Sequence, residues 1–457
     1  MQEPTKQFSQ VDFSMFSPGR ILLFSFLFVI ALGTILLALP ISRNVDIPLI
    51  DLIFTSVSTT CVTGLKVAPI SYFTQFGQIV ILCLIQIGGL GLMTLSLFFI
   101  SLILNMDMTT RLMAGEILEF KRWSKVKNFL IIIVTYTFFI ELIGAIFLYI
   151  PLRNTMSRGQ AIFYSIFHSV TSLCNAGITL FDDAKITNNF APFSLSVIAL
   201  LVFIGGLGFI VWFEVANKIK SIFKSLKSKK FKFNFSLHTK IVLITSLLLI
   251  IFGTLVIWLL EFEKTLTATD FAYGIFDSFF TAVTIRCAGF HVFNLEQVSL
   301  ATILLFMGLM YIGASPGSTG SGIKTTTFIL FLATMVSFIR NRKDVEIFGR
   351  TIPQDQVYKA ITIVTLSVIW IISLTFTMLV LNPTFNFVQI LFEALSAFST
   401  CGLSTGITIY LSKITKILLM ITMIIGRIGS LTLVLALRVK KRKPQLYHYP
   451  TERISIG

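Results

Sequence analysis

Four glycines recur along this chain at nearly constant spacing: Gly64, Gly177, Gly289 and Gly402 lie 113, 112 and 113 residues apart. Each closes a short run of small or polar residues. The runs are Ser58-Thr59-Thr60-Cys61-Val62-Thr63, Thr171-Ser172-Leu173-Cys174-Asn175-Ala176, Thr284-Ile285-Arg286-Cys287-Ala288 and Ser399-Thr400-Cys401. The chemistry such residues can do is the dehydration of a cation. A cation stripped of water needs oxygen ligands, and backbone carbonyls aimed at a common axis supply them. Aiming successive carbonyls inward demands backbone angles that a residue with a Cβ resists, hence glycine. One copy could be a tight turn and nothing more; four copies in register point to one shared axis. With a single glycine per copy, each loop presents fewer inward carbonyl layers than a Gly-Tyr-Gly filter.

Rival chemistries fare worse. Cys61, Cys174, Cys287 and Cys401 stand three, three, two and one residues before their glycines, so four thiolates at one level are not expected, and they read as small side chains packing behind tight loops. The chain has four histidines (His168, His238, His291, His448) and neither an HExxH nor a GxSxG motif, which argues against a hydrolytic or zinc enzyme. The stretch Gly317 to Lys324 imitates a phosphate-binding loop, but Ile323 separates Gly322 from Lys324, and no strand precedes it.

A second marker keeps the same beat. Ile87-Gly88, Ile204-Gly205, Ile312-Gly313 and Ile425-Gly426 follow the four glycines by 24, 28, 24 and 24 residues. Two markers in phase indicate a fourfold internal repeat. Hydrophobic residues make up 55% of the chain and charged residues 13%, which is the balance of a membrane protein. The pattern predicts eight long spans, at 19–41, 73–104, 129–151, 192–216, 241–260, 297–338, 357–381 and 413–438. Shorter apolar segments at 49–58, 160–173, 271–284 and 386–400 are too short to cross about 30 Å of hydrocarbon and are expected to re-enter. The fold class is therefore an all-α polytopic membrane protein, four M1–pore helix–M2 repeats around a pseudo-fourfold pore. The repeats divide at 1–105, 106–217, 218–339 and 340–438, followed by a tail at 439–457.

The net charge of +16 is concentrated rather than spread, which does not suggest nucleic acid. Most Lys and Arg lie at the N-terminus, between repeats (Lys218 to Lys240 above all) and in the tail from Arg438 to Lys443. The positive-inside rule places both termini in the cytoplasm, with all four loops dipping in from outside. The run 217–240 could also lie as an amphipathic helix on anionic lipid. Two features break the symmetry. Gly313-Ala314-Ser315-Pro316-Gly317-Ser318-Thr319-Gly320-Ser321-Gly322-Ile323-Lys324 cannot stay helical at membrane depth and must line a cavity. Arg427 puts a charge in the last span, where it must face water or a partner.

Several segments resemble the Trk/Ktr/HKT superfamily of potassium transporters, most closely its Ktr membrane subunits. They are Thr60-Cys61-Val62-Thr63-Gly64-Leu65, Phe167-His168-Ser169-Val170 with Asn175-Ala176-Gly177, Arg286-Cys287-Ala288-Gly289-Phe290, Ser396-Ala397-Phe398 with Gly402-Leu403-Ser404, and the ending Tyr449 to Gly457. The resemblance covers nearly the whole chain, without the extra N-terminal spans of the Trk branch, and departs at Cys287, where threonine is usual. It implies a potassium filter formed by Val62, Thr63, Gly64, Asn175, Ala176, Gly177, Cys287, Ala288, Gly289, Thr400, Cys401 and Gly402. It implies a gate beneath the filter formed by Gly313, Ser315, Pro316, Gly317, Ser318, Thr319, Gly320 and Lys324, with Arg427 as a barrier to cations. Arg286 would brace the filter, with Asp277 or Glu393 as its partner; Asp51 reads as a helix N-terminal charge, and Glu141 and Glu214 as packing groups. No cofactor is implied beyond transported potassium, with sodium as an activator or co-substrate. The implied partners are a second copy (a homodimer), membrane lipids and a cytosolic nucleotide-binding ring, and the implied location is the bacterial inner membrane. A rocking secondary carrier is the other reading, but four repeats of like orientation favour a pore.

Overall fold

The computed structural model describes residues 18–91, 124–181, 191–225, 235–266 and 271–429. The tail 439–457, the middle of the basic run 218–240 and the far ends of the spans expected at 73–104 and 413–438 lie outside the described residues. Helices dominate what is described, and they fall into four sets. The first holds α1 (Pro18–Ala38), α2 (Leu49–Thr60) and α3 (Gln75–Gly89). The second holds α4 (Ser124–Leu152), α5 (Arg158–Leu173), α6 (Pro192–Leu207) and α7 (Phe209–Ser225). The third holds α8 (Leu237–Glu261), α9 (Phe271–Thr284), α10 (Leu300–Tyr311) and α11 (Thr325–Ile339). The fourth holds α12 (Gln354–Leu381), α13 (Phe387–Ser399) and α14 (Lys413–Ile428). A small hairpin, β1 (Glu346–Ile347) with β2 (Arg350–Thr351), joins the last two sets.

Polarity runs opposite to that of a water-soluble protein. Segments Ile131–Leu152, Leu237–Glu261 and Gln354–Leu381 are long and apolar enough to cross a membrane. Their outer faces are bare hydrocarbon: Leu259 is 66% exposed and Phe376 68%. Hydroxyls, by contrast, fill the interior of the short helices. Buried Thr59 donates to Thr55 O at 2.7 Å, Ser172 to His168 O at 2.6 Å, and Ser399 to Leu395 O at 2.8 Å. These three hydroxyls are satisfied within their own helices and need no water. α2, α5, α9 and α13 have 12, 16, 14 and 13 residues, roughly 18 to 24 Å of helix. All four stop just before a repeat glycine.

The core is a circuit of seams rather than one centre. Leu37, Phe73 and Ile81 of the first set pack with Phe167 and Ile178 of the second. Leu148 and Ile198 of the second pack with Phe280 and Phe290 of the third. Ile257 and Phe306 of the third meet Phe392 and Ile425 of the fourth. Ile30 and Phe54 of the first meet Met378 and Met423 of the fourth, which closes the circuit.

The second marker glycines have a packing reason. A Cβ on Gly88, Gly205 or Gly426 would overlap the carbonyl oxygen of Thr60, Leu173 or Phe398, the fourth residue before the repeat glycine of the same set. Only glycine lets the helix of the second marker lie against the end of its own short helix. In the third set Gly313 lies instead against Ser321 O.

The span expected at 192–216 is not one helix. It breaks at Gly208 (φ 91°), and α6 and α7 meet at a bend of 101°. The break is stable because the freed carbonyls find donors elsewhere. Ile204 O accepts from the Trp212 indole at 2.7 Å, Gly205 O from Thr319 N at 3.2 Å, and Gly206 O from Ser315 N at 3.1 Å. The interrupted helix of the third set thus interrupts its neighbour in the second.

Adjacent glycines give a sharp test. Gly205→Ala drives a Cβ into Leu173 O, whereas Gly206→Ala leaves 3.6 Å to Cys287 Sγ. Gly205→Ala is expected to destabilise by about 2 kcal/mol or more, and Gly206→Ala to stay within about 0.5 kcal/mol, in thermal unfolding of the detergent-solubilised protein.

Candidate functional site

The four loops that follow α2, α5, α9 and α13 meet as a closed ring. A Cβ on Gly64 would overlap Ala176 O, one on Gly177 would overlap Ala288 O, one on Gly289 would overlap Cys401 O, and one on Gly402 would overlap Thr63 O. Each glycine lies against the carbonyl that precedes the next glycine, and the fourth returns to the first. All four have positive φ: 90°, 62°, 65° and 88°. Space and backbone angle both exclude a side chain there.

The local backbone explains how three of the loops turn. Val62, Asn175 and Thr400, each two residues before its glycine, have φ of 56°, 61° and 49°. The next residue's N–H then bonds back into the short helix: Thr63 N to Ser58 O at 2.7 Å, Ala176 N to Thr171 O at 2.8 Å and Cys401 N to Ser396 O at 3.0 Å. This is the left-handed helix ending that normally uses glycine. Val62, a β-branched residue, is strained in it. The third loop differs, because Ala288 N and Gly289 N both bond Thr284 O, and the turn runs one residue further. Beyond the glycines the chain is tied back by side chains. Ser58 Oγ donates to Leu65 O at 2.8 Å, and Thr284 Oγ1 to Phe290 O at 2.7 Å. In the fourth loop, buried Glu393 accepts from Ser404 Oγ at 2.6 Å, Thr405 N at 2.9 Å and Thr408 Oγ1 at 2.8 Å.

The segment 313–324 is held on every side. Gly317 O accepts from Phe209 N at 2.8 Å, and Ser315 N and Thr319 N donate to the end of α6. Within the segment, Ser318 Oγ donates to Ser315 O at 2.6 Å and Lys324 Nζ to Gly320 O at 2.8 Å. Pro316 O lies against Gly208, and Gly320 lies so close to Cys287 of the third loop that a Cβ would come within 2.9 Å of it. Arg427 reaches across from α14: Nη1 donates to Thr319 O and lies 3.3 Å from Ser321 Oγ, and Nη2 donates to Gly88 O at the end of α3. One guanidinium therefore joins the first, third and fourth sets beside the ring.

Arg286 is buried and donates to Gly313 O at 3.0 Å, the first residue of that segment. Among the described residues it pairs with neither Asp277 nor Glu393. Glu393 is engaged by the fourth loop instead, and half-buried Asp277 makes no hydrogen bond among the described residues. The four loop cysteines are buried in unlike surroundings: Cys401 Sγ donates to Ile285 O at 2.8 Å, while Cys174 lies 3.8 Å from Gln86 Oε1. Glu141 accepts from Gln86 Nε2 at 3.2 Å, and Glu214 from Ser236 N at 2.7 Å, both as packing groups between elements.

One pair escaped sequence reasoning. Lys416 of α14 donates to Asp51 at the start of α2, at 2.8 Å, with the two side chains only 9% and 15% exposed. The partners are 365 residues apart, and the pair fastens the last set to the first. The one sequence signal was a second lysine, one turn after Lys413, at the start of the apolar run of α14. Breaking a nearly buried pair strands a charge, so Asp51→Asn or Lys416→Met alone is expected to cost about 3 kcal/mol. The double variant should recover more than half of that loss in thermal unfolding.

A family model described as "Cation transport protein" (TrkH) matches residues 10–449. The chain is 35% identical to the Ktr system potassium uptake protein B of Bacillus subtilis over 446 residues, 97% of each chain. It is 36% identical to the protein of the same description from Vibrio alginolyticus, covering 96% of this chain and 94% of that one. It is 35% identical to the potassium/sodium uptake protein NtpJ of Enterococcus hirae, covering 96% and 97%. The crystal structure of the potassium transporter TrkH from Vibrio parahaemolyticus shares the fold, with a TM-score of 0.68 and 18% identity over 90% of this chain and 84% of that one. With its lipid-facing helices and internal polar ring, the chain is a polytopic membrane protein that belongs to the TrkH family of cation transport proteins, a transporter and not an enzyme.

Proposed function

We propose that this chain is the membrane subunit of a potassium uptake system and passes potassium along the axis of the four-loop ring. The observation that carries this reading is the closure of the ring: four glycines, each against the next loop's carbonyl, with all four short helices ending there. The negative ends of those helix dipoles favour a cation at the centre, and the carbonyls replace its water. Val62, Thr63 and Gly64, Asn175 to Gly177, Cys287 to Gly289 and Thr400 to Gly402 are the filter. Each set is then one M1–pore helix–M2 repeat, with eight spans in all, divided at 1–105, 106–217, 218–339 and 340–438.

Segment 313–324 with Arg427 is the gate. Its support is position: it lies against the third loop through Gly320 and Cys287, and a guanidinium lies beside it. Arg427 both repels cations and satisfies carbonyls of Thr319 and Gly88, so barrier and cap are one arrangement. Arg286 holds the gate's first residue and Glu393 the fourth loop, which makes them filter and gate supports; no contact assigns Asp277 such a role. Potassium as the substrate follows the relatives' names, and the potassium/sodium relative supports sodium as activator or co-substrate. The basic inter-repeat loops face the cytoplasm of the inner membrane, with both termini, and suit an acidic or nucleotide-bearing cytosolic ring. The subunit acts as a homodimer.

Rubidium tracer uptake into bacteria lacking their own potassium uptake tests the reading. Saturable uptake suppressed by excess potassium is expected; its absence from well-folded protein supplied with its cytosolic partner refutes the pathway. Gly64→Ser should lower the potassium/sodium preference several-fold in the same assay. Deleting Ala314 to Gly320, or changing Arg427 to Ala, should raise the uptake rate several-fold; a folded but slower variant would count against the gate.

A further inference from the structure

The amide of Asn175 does more than turn the second loop. It is fully buried, and its Nδ2 donates to Thr319 Oγ1 at 2.7 Å. That hydroxyl has a single proton, which it gives to Leu173 O at 3.0 Å, so towards Asn175 it can only accept. The network therefore fixes the orientation of the amide: nitrogen to Thr319, oxygen away. Among the described residues Asn175 Oδ1 has no hydrogen-bond partner, and it is shielded from solvent. An amide oxygen left in that condition costs about 1–3 kcal/mol. It stands two residues before Gly177, at the level of the ring where loops turn left-handed. In the fourth loop, opposite in ring order, Thr400 Oγ1 at the same level is likewise buried with no partner among the described residues. Thr60 Oγ1 and Thr63 Oγ1 at the first loop share that condition among the described residues. Neutral oxygens lacking donors, beside a ring proposed to pass monovalent cations, suit a potassium or sodium ion better than a multivalent one.

Thr319, at the other end of the amide, is the best-anchored residue of the 313–324 segment. Its N–H donates to Gly205 O, its hydroxyl to Leu173 O, and its carbonyl accepts from Arg427. We propose that Asn175 couples the filter to the gate: its amide oxygen takes a monovalent cation just inside the glycine ring while its amide nitrogen holds Thr319. One orientation of the amide serves both contacts, so each favours the other. By linkage, a gate contact that stabilises the bound filter must weaken cation binding when it is broken. The inference rests on the proposed cation pathway through the ring.

The test measures how potassium chloride raises the unfolding temperature of the purified, detergent-solubilised protein, with choline chloride as the control for ionic strength. Thr319→Val removes the hydroxyl without touching the ring. It should raise the potassium concentration for half-maximal protection about three- to tenfold, the size expected of one buried hydrogen bond. Asn175→Gly keeps the left-handed turn (φ 61°) and should shift it at least as far, and the double variant no further than Asn175→Gly alone. Thr319→Ser, which retains the hydroxyl, should match the parent and serves if the valine variant does not fold. If Thr319→Val leaves the potassium dependence unchanged, or if the two shifts add, the coupling is wrong. A shift in Thr319→Ser as large as that expected for loss of the hydroxyl would overturn it equally. Absence of potassium-suppressed rubidium uptake by the parent protein would instead overturn the pathway itself.

Discussion

Everything near the centre of this protein depends on one spatial constraint: four glycine α-carbons each lie where a Cβ would overlap the preceding carbonyl of the next loop. The constraint fixes more than the ring. For the loops to come so close, the short helices must end at one level and turn sharply, which draws Val62, Asn175 and Thr400 into left-handed backbone. The outer helices must then follow inward, and Gly88, Gly205 and Gly426 permit it by lying against Thr60 O, Leu173 O and Phe398 O. Both periodic glycines are answers to the same crowding, one between neighbouring sets and one within a set. The cost of strained turns is borne by the surrounding seams, which over-determine the loop positions.

A circuit of four apolar seams leaves the axis to polar groups. In a soluble domain the centre would be the driest place; here the hydrocarbon is outside and the oxygens are within. Helix hydroxyls bonded to their own backbone keep the interior polar without demanding water. Such a circuit has to close between chain ends, and the Asp51–Lys416 pair lies at that seam along with Ile30, Phe54, Met378 and Met423.

Departure from fourfold symmetry is concentrated at the third loop and the segment beside it. The third loop turns one residue later than the others, and the segment 313–324 fills the space beside it. That segment draws its donors and acceptors from three sets: Gly205, Gly206 and Phe209 in the second, Arg286 in its own and Arg427 in the fourth, which in turn grips Gly88 of the first.

Much of this was legible without coordinates. Repeat spacing, short apolar segments and the glycine-rich interruption are local or periodic signals, and a membrane amplifies them, because hydrocarbon permits few backbone arrangements. The resemblance at the four loops drew on the same local residues. Tertiary structure alone decided the pairings. Arg286 turned to Gly313 O rather than to Asp277 or Glu393, the helix of the second set broke at Gly208 because its neighbour supplied donors, and Lys416 found Asp51 365 residues away. The physical reason is that a sequence states what each residue needs, a carbonyl, a carboxylate or room for no side chain. Which group meets the need depends on the order in which four similar sets close around one axis, and no local pattern carries that order.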